Sequence, residues 1–101
     1  MTLRYEFTGR SRKDLEAILE YSYQTWGPTR TRDYLEGMEY RINWLRDNPG
    51  AGRLRPEIAD NLKSFPQGSH VIYYRVTEEV LLIVRIRHQS ADTISTSDLS
   101  P

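Results

Sequence analysis

The chain has no cysteine. That excludes a disulfide framework, a thiolate metal site and a cysteine nucleophile, and it suits a reducing compartment. Charge of one sign is not in excess either: fourteen Lys and Arg balance fourteen Asp and Glu, giving a net charge of zero with the two histidines neutral. The broad basic field that drives non-specific nucleic-acid binding is therefore missing, and no direct sequence-specific nucleic-acid binding is expected. Lysine is scarce, with Lys13 and Lys63 beside twelve arginines. Arginine is favoured where planar, two-point contacts to carboxylate or phosphate are made, which leans towards an interface. Long hydrophobic runs are absent: the longest aliphatic stretch, Val80 to Val84, is five residues, against the ~20 a membrane-spanning helix needs. Met1 to Phe7 alternates polar and apolar residues and lacks the continuous apolar segment of a secretory signal. A cytoplasmic protein with no membrane partner is the expectation.

Other absences narrow the chemistry. Gly50-x-Gly52 follows a predicted helix and precedes a loop, the reverse of a strand-to-helix phosphate cradle. Ser11, Ser22, Ser64 and Ser69 have no nucleophile-elbow context. His70 and His88, with Asp92 near the second, match no metal-ligand spacing, so neither a metal nor a cofactor is expected.

What is present is a clear change of period along the chain. With 101 residues the sequence is long enough for one domain, burying about 65% of its unfolded surface, and 1–101 is read as that single domain. Leu3, Tyr5 and Phe7 alternate with polar residues, which predicts a short strand with one buried face. Ser11-x-x-Asp14 then reads as a helix cap, followed by an apolar stripe of Leu15, Ile18, Leu19, Ser22 and Trp26. Gly27-Pro28 ends that helix and starts the next. Tyr34, Leu35, Met38, Ile42 and Leu45 trace the second stripe, so the two helices form an antiparallel hairpin.

Asn48-Pro49-Gly50-Ala51-Gly52 stops the second helix, and a long loop runs to about Asn61. Leu62 to Phe65, Val71 to Val76 and Val80 to Arg87 predict three strands, separated by Pro66-Gln67-Gly68-Ser69 and Thr77-Glu78-Glu79. The tail from about residue 93 is polar, with Ile94 and Leu99 alone able to dock, and is expected to be poorly ordered. The fold class is α+β: two layers, an N-terminal strand, a helical hairpin, then a three-stranded antiparallel sheet, with one hydrophobic layer between hairpin and sheet.

Candidate functional residues gather late in the chain: Arg53, Arg55, Glu57, Lys63, His70, Tyr73, Tyr74, Arg75, Arg85, Arg87, His88 and Asp92. RNA cleavage needs a base, an acid and cations for the developing phosphorane charge, and His, Glu and Arg can fill those roles. The same residue types also serve as solvated strand ends and ion pairs. Eleven aromatics are many for so small a core, and Tyr21, Tyr23, Tyr40 and Trp44 fall off the main helical stripes. Aromatic residues with arginine are what partner surfaces are enriched in.

Six segments in order resemble a known family: Asp14-Leu15-x-x-Ile18-x-x-Tyr21, Trp26-Gly27, Tyr34-Leu35, Asn48-Pro49-x-x-Gly52, His70-Val71-Ile72-Tyr73-Tyr74-Arg75, and Ile83-Val84-Arg85-Ile86-Arg87-His88-x-x-x-Asp92. Across residues 3–92 they look like the ParE branch of the RelE/ParE superfamily of bacterial type II toxin–antitoxin systems. The resemblance implies a cytoplasmic toxin that binds and inhibits DNA gyrase, so blocking replication, and is neutralised by a ParD-type antitoxin. It implies no catalytic residues. Arg85, Arg87 and His88 are then the expected toxic surface, and Tyr34, Met38, Trp44, Arg53 and Arg75 the expected antitoxin contacts. The alternative is a RelE-like, ribosome-dependent mRNA endoribonuclease using His88 or Glu57 for proton transfer and Arg85 for phosphate charge. Against it, Val71 stands where the ribonucleases of the superfamily carry an arginine.

Overall fold

The structure, a computed structural model, describes residues 3–91 and 94–99. Chain order is β1 (Arg4–Phe7), α1 (Gly9–Trp26), α2 (Pro28–Asp47), a 3-10 turn (Pro49–Ala51), β2 (Arg53–Leu54), β3 (Lys63–Gln67), β4 (His70–Val76), β5 (Val80–His88) and a second 3-10 turn (Thr96–Leu99). The α+β class and the hairpin are as the periodicity predicts. The sheet is larger than expected: among the described residues it has five strands in the order β1-β5-β4-β3-β2, with β1 parallel to β5 and every other pair antiparallel. Two residues of the long loop, Arg53 and Leu54, add an edge strand to β3. Strands β3 to β5 differ from prediction by a residue or two at their ends, and the β3–β4 turn shrinks to Gly68-Ser69.

Helix α1 starts earlier than the Ser11-x-x-Asp14 pattern suggests. Thr8 is its cap, its Oγ1 accepting from the Ser11 amide at 3.2 Å. Ser11 is fully buried, and its hydroxyl donates to the Ile83 carbonyl at 2.8 Å. Between the helices Gly27 has φ +90°, a region costly for any residue with a Cβ. There its amide closes α1 onto the Tyr23 carbonyl at 2.9 Å, and Pro28 opens α2.

The main core joins Met38, Ile42 and Leu45 of α2 to Ile72, Tyr74, Leu81, Ile83 and Ile86 of the sheet. Tyr74 is wholly buried, and its hydroxyl is satisfied by donating to the Pro49 carbonyl at 3.0 Å and accepting the Gly52 amide at 2.9 Å. A Cβ at Gly52 would collide with the Tyr74 hydroxyl and ring. The Asn48-Pro49-x-x-Gly52 segment is therefore the socket of a core tyrosine.

The sheet has a second covered face, against the expectation of one hydrophobic layer. Leu62, Tyr73 and Val84 pack there with Ile94 and Leu99, at 6% and 8% exposure. The tail thus docks rather than frays over Ile94 to Leu99, because two apolar side chains close a face that the helices leave open. Residues 92 and 93 lie outside the described part of the chain, and with them Asp92.

Strands β4 and β5 carry a bulge. Tyr74 pairs with Ile83 but Tyr73 with Arg85, leaving Val84 as an extra residue on β5. The first turns of α1 serve the backbone groups around it. Thr8 donates from its amide to the Ile83 carbonyl at 3.0 Å and from its hydroxyl to the Val84 carbonyl at 3.2 Å. Asp14 accepts the Ile86 amide at 3.0 Å.

Candidate functional site

The bulge sets the end of β5 against α1, and the predicted toxic surface divides there. Arg85 turns inward. Its Nε and Nη2 donate to the two carboxylate oxygens of Asp14 at 2.7 and 3.0 Å, and its Nη1 donates to the Asp98 carbonyl at 2.8 Å. Only 12% of the Arg85 side chain is exposed. The hydrogen bond to Asp14 holds its guanidinium above the ordinary value, with burial opposing. Arg85 is thus a link between α1, β5 and the tail, which corrects its assignment to an open surface. Arg87 reaches Asp98 at 3.7 Å and stays partly exposed. His88 is exposed, its Nδ1 accepting the Ser90 amide at 3.1 Å, so the neutral ring carries its proton on Nε2.

Arg87 and His88 lie on the wall of a groove of about 680 Å³ between the hairpin and the end of the sheet. One wall is a single stripe of α1 from Asp14 to Trp26, about 18 Å long at 1.5 Å per residue. Arg30 and Tyr34 of α2, Ser69 of the β3–β4 turn, and His70, Ile86, Arg87 and His88 of the sheet complete it. His70 and His88 are register partners on adjacent strands, with ring centroids 5.3 Å apart. Tyr34 is hydrogen-bonded to His70 Nδ1 and to the Gln67 carbonyl. Burial, and then the charge of His88, hold His70 below the ordinary histidine value. At the hairpin end the Arg30 guanidinium lies 4.2 Å from the centroid of the Trp26 ring, a cation–π contact.

The residues of the ribonuclease alternative are not assembled. Arg85 is bound to Asp14, His88 to Ser90, and the Glu57 carboxylate to Arg55 Nε at 2.7 Å. That hydrogen bond holds Glu57 below the usual carboxylate range. Glu57 does not line the groove that holds His88. Among the described residues no three His, Asp or Glu side chains gather as metal ligands, and no helix is long and apolar enough to cross a membrane.

The predicted antitoxin contacts also divide. Met38 is wholly buried in the main core, so it is no surface anchor: its place on the α2 stripe faces the sheet. Tyr34 lines the groove. Trp44 is partly buried, with its ring 5.4 Å from Phe65 and the Arg41 guanidinium 4.9 Å from its centroid. Arg53 is exposed on the edge strand β2 beside Leu54, itself 56% exposed. Arg75 on β4 is half-buried and donates to the Asp60 carbonyl at 3.4 Å. Sequence reasoning missed Asp14 as the partner of Arg85, and Trp26 and Arg30 as groove residues. A signal for the first was present: Thr8, Ser11 and Asp14 fall three apart, on one face of a helix start.

With the geometry in hand, the chain can be set beside known proteins. The model of the ParE toxin of type II toxin–antitoxin systems matches residues 5–93. Toxin ParE1 of Mycobacterium tuberculosis is 33% identical over 93 residues, covering 91% of this chain and 95% of that one. Toxin ParE1 of Caulobacter vibrioides is 34% identical over 86 residues, covering 85% and 88%. Among solved structures, one from the chromosomal ParDE system of P. aeruginosa superposes with a TM-score of 0.73 at 18% identity, covering 86% of this chain and 96% of that one. One from the M. tuberculosis RelBE2 toxin–antitoxin complex superposes at 0.63 and 24% identity, covering 87% and 99%. At those identities the two structures speak to the fold, and the family match speaks to kind: this chain belongs to the ParE toxin family of type II toxin–antitoxin systems.

Proposed function

We propose that this toxin acts in the cytoplasm by binding DNA gyrase and blocking replication, with no catalysis of its own, and that a ParD-type antitoxin neutralises it. The family match over residues 5–93 carries the reading. The separate engagement of Arg85, Glu57 and His88 supports binding over RNA cleavage. Arg87, partly exposed, and the exposed His88, both on the groove wall, form the toxic surface. The antitoxin uses the other end of the sheet. There β2 is a short exposed edge with Arg53 and Leu54, next to β3 in the strand order, and an extended segment can add to it as a further strand. Trp44 and Arg75 supply further contacts, and Tyr34, on the groove wall, is the antitoxin contact nearest the toxic surface.

The test is induced expression of this chain alone in bacteria, with growth and a DNA-damage reporter followed in one culture. Arrested growth with a rising reporter supports gyrase as target. Arrested growth with a flat reporter, together with cleaved messenger RNA, overturns it in favour of the ribosome.

A further inference from the structure

The groove between α1 and the sheet end joins Arg87 and His88 of the proposed toxic surface to an aromatic end that the toxin reading does not use. Its volume, about 680 Å³, falls within the few hundred to about 1,000 Å³ typical of small-molecule sites. Strands β4 and β5 spend their facing backbone groups on each other, with His70 opposite His88 and Ile72 opposite Ile86. On the outer edge of β5, past its pairing with β1, the Ile86 amide is taken by Asp14, and the groove offers an occupant side chains for stacking and charge.

Those side chains divide by chemistry. At the hairpin end Tyr21 and Trp26 are 68% and 55% exposed, with the Arg30 guanidinium laid on the indole. Flat, exposed aromatic faces backed by a guanidinium suit a planar heterocycle. On the sheet side stand Arg87, His70, His88 and the Ser69 hydroxyl. Because the Ser90 amide donates to His88 Nδ1, the neutral ring still offers Nε2–H as a donor. Among the described residues the lining has one carboxylate, Asp14, and the bidentate Arg85 matches it. Arg87 and Arg85 share Asp98, at 3.7 and 3.5 Å, so Arg30, Arg85 and Arg87 stand against Asp14 and Asp98. In a chain of zero net charge this cluster keeps a positive excess beside its donors, and its complement is an anion.

We infer that the groove binds a mononucleotide, its base stacked at Tyr21, Trp26 and Arg30 and its phosphate held by Arg87, His88 and Ser69. The inference does not rest on gyrase as target, and its failure leaves that reading as it stands.

His70 and His88 are the two histidines of the chain and both line the groove, so their ring-proton NMR signals report on it directly. The purified protein is titrated with adenosine 5′-monophosphate, adenosine and inorganic phosphate in parallel. The monophosphate is expected to move both histidine signals saturably, with an affinity about tenfold or more above either fragment. Trp26→Leu and Arg87→Gln each weaken it by about tenfold. If either variant fails to fold, Tyr21→Ala, at a highly exposed position, takes its place with the same expected loss. No shift at about 10 mM monophosphate, a binding site nearly empty on any useful affinity scale, overturns the inference. So does phosphate binding as tightly as the monophosphate, which makes this a plain anion site, or adenosine doing so, which makes it an aromatic cleft. Unchanged affinity in the folded variants overturns it as well.

Discussion

Asp14, in the second turn of α1, holds both the guanidinium of Arg85 and the backbone amide of Ile86, at 2.7 to 3.0 Å. One carboxylate thus neutralises a largely buried cation and satisfies an amide beside the bulge. Removing it leaves both unpaired. Asp14→Ala is expected to cost about 3 kcal/mol, towards the low end for a broken buried pair because some solvent still reaches it. Arg85→Ala costs a similar amount, and the double variant less than the two added. Urea unfolding of the four proteins measures the coupling.

The pH dependence follows from His70. Its folded-state value is held below the ordinary one, first by burial and then by His88. The unfolded chain therefore binds the proton more tightly, and stability rises with pH across that interval. Above the ordinary value, near 6.5, the contribution is whole; it is lost as the pH falls from there towards the lower folded value. His70→Gln flattens the slope of unfolding free energy between about pH 7.5 and 5.5. The depressed carboxylates Glu57 and Asp98 act in a separate window. Their contribution is present above the ordinary carboxylate value and lost as the pH falls through their lower folded ones.

Tyr74→Phe strips one hydroxyl from a buried socket and orphans the Gly52 amide. The expected loss is about 1 to 3 kcal/mol, that of an unsatisfied buried donor. Gly52→Ala is more damaging, since its Cβ meets the tyrosine ring as well as the hydroxyl. Thermal melts of both variants rank them.

Leu99→Ala tests the docked tail. The buried side chain closes the second core over Tyr73 and Val84, and the change is expected to cost about 2 kcal/mol, at the small end of Leu-to-Ala losses because a terminal segment relaxes readily. Increased binding of a hydrophobic dye to the folded protein reports the uncovered face. An unchanged melting point with no dye binding contradicts the tail's place in the fold.

Two paired substitutions separate the proposed surfaces. Arg87→Ala with His88→Ala is expected to abolish growth arrest while leaving the antitoxin complex intact. Arg53→Glu with Leu54→Asp is expected to leave arrest intact and weaken antitoxin capture by at least about tenfold. Growth curves with and without the antitoxin, and co-purification, read both. If either pair shifts the two readouts together, the division of surfaces is wrong.

Much of the fold was legible because its periods are clean. Leu3, Tyr5 and Phe7 announce a strand, Met38, Ile42 and Leu45 a helix face, and the aliphatic residues of β5 a central strand. Long-range pairing was not legible. Nothing in Arg53-Leu54 marks a strand until Lys63 and Ser64 lie beside it, and Ile94 and Leu99 look like stray apolar residues until a second sheet face needs covering. The histidine pair shows the limit best. The pairs nearest the β4–β5 turn, Val76 with Leu81 and Tyr74 with Ile83, extrapolate to His70 opposite Arg87. The extra residue at the bulge moves His70 opposite His88. Alternation alone carries no sign of that one-residue slip, since Val84 simply ends the continuous aliphatic run from Val80.

The parallel pairing of β1 with β5 also sets a timetable. Residues 4–7 leave the ribosome before their sheet partners, residues 80–83, which are made about 75 residues later, roughly 4 to 15 s at bacterial elongation rates of 5–20 residues per second. Until then Tyr5 and Phe7 have no strand to lie against and α1 has no bulge to dock on. The sheet therefore stays incomplete while the residues between β1 and β5 are being made, and β1 finds its place only once β5 has been synthesised.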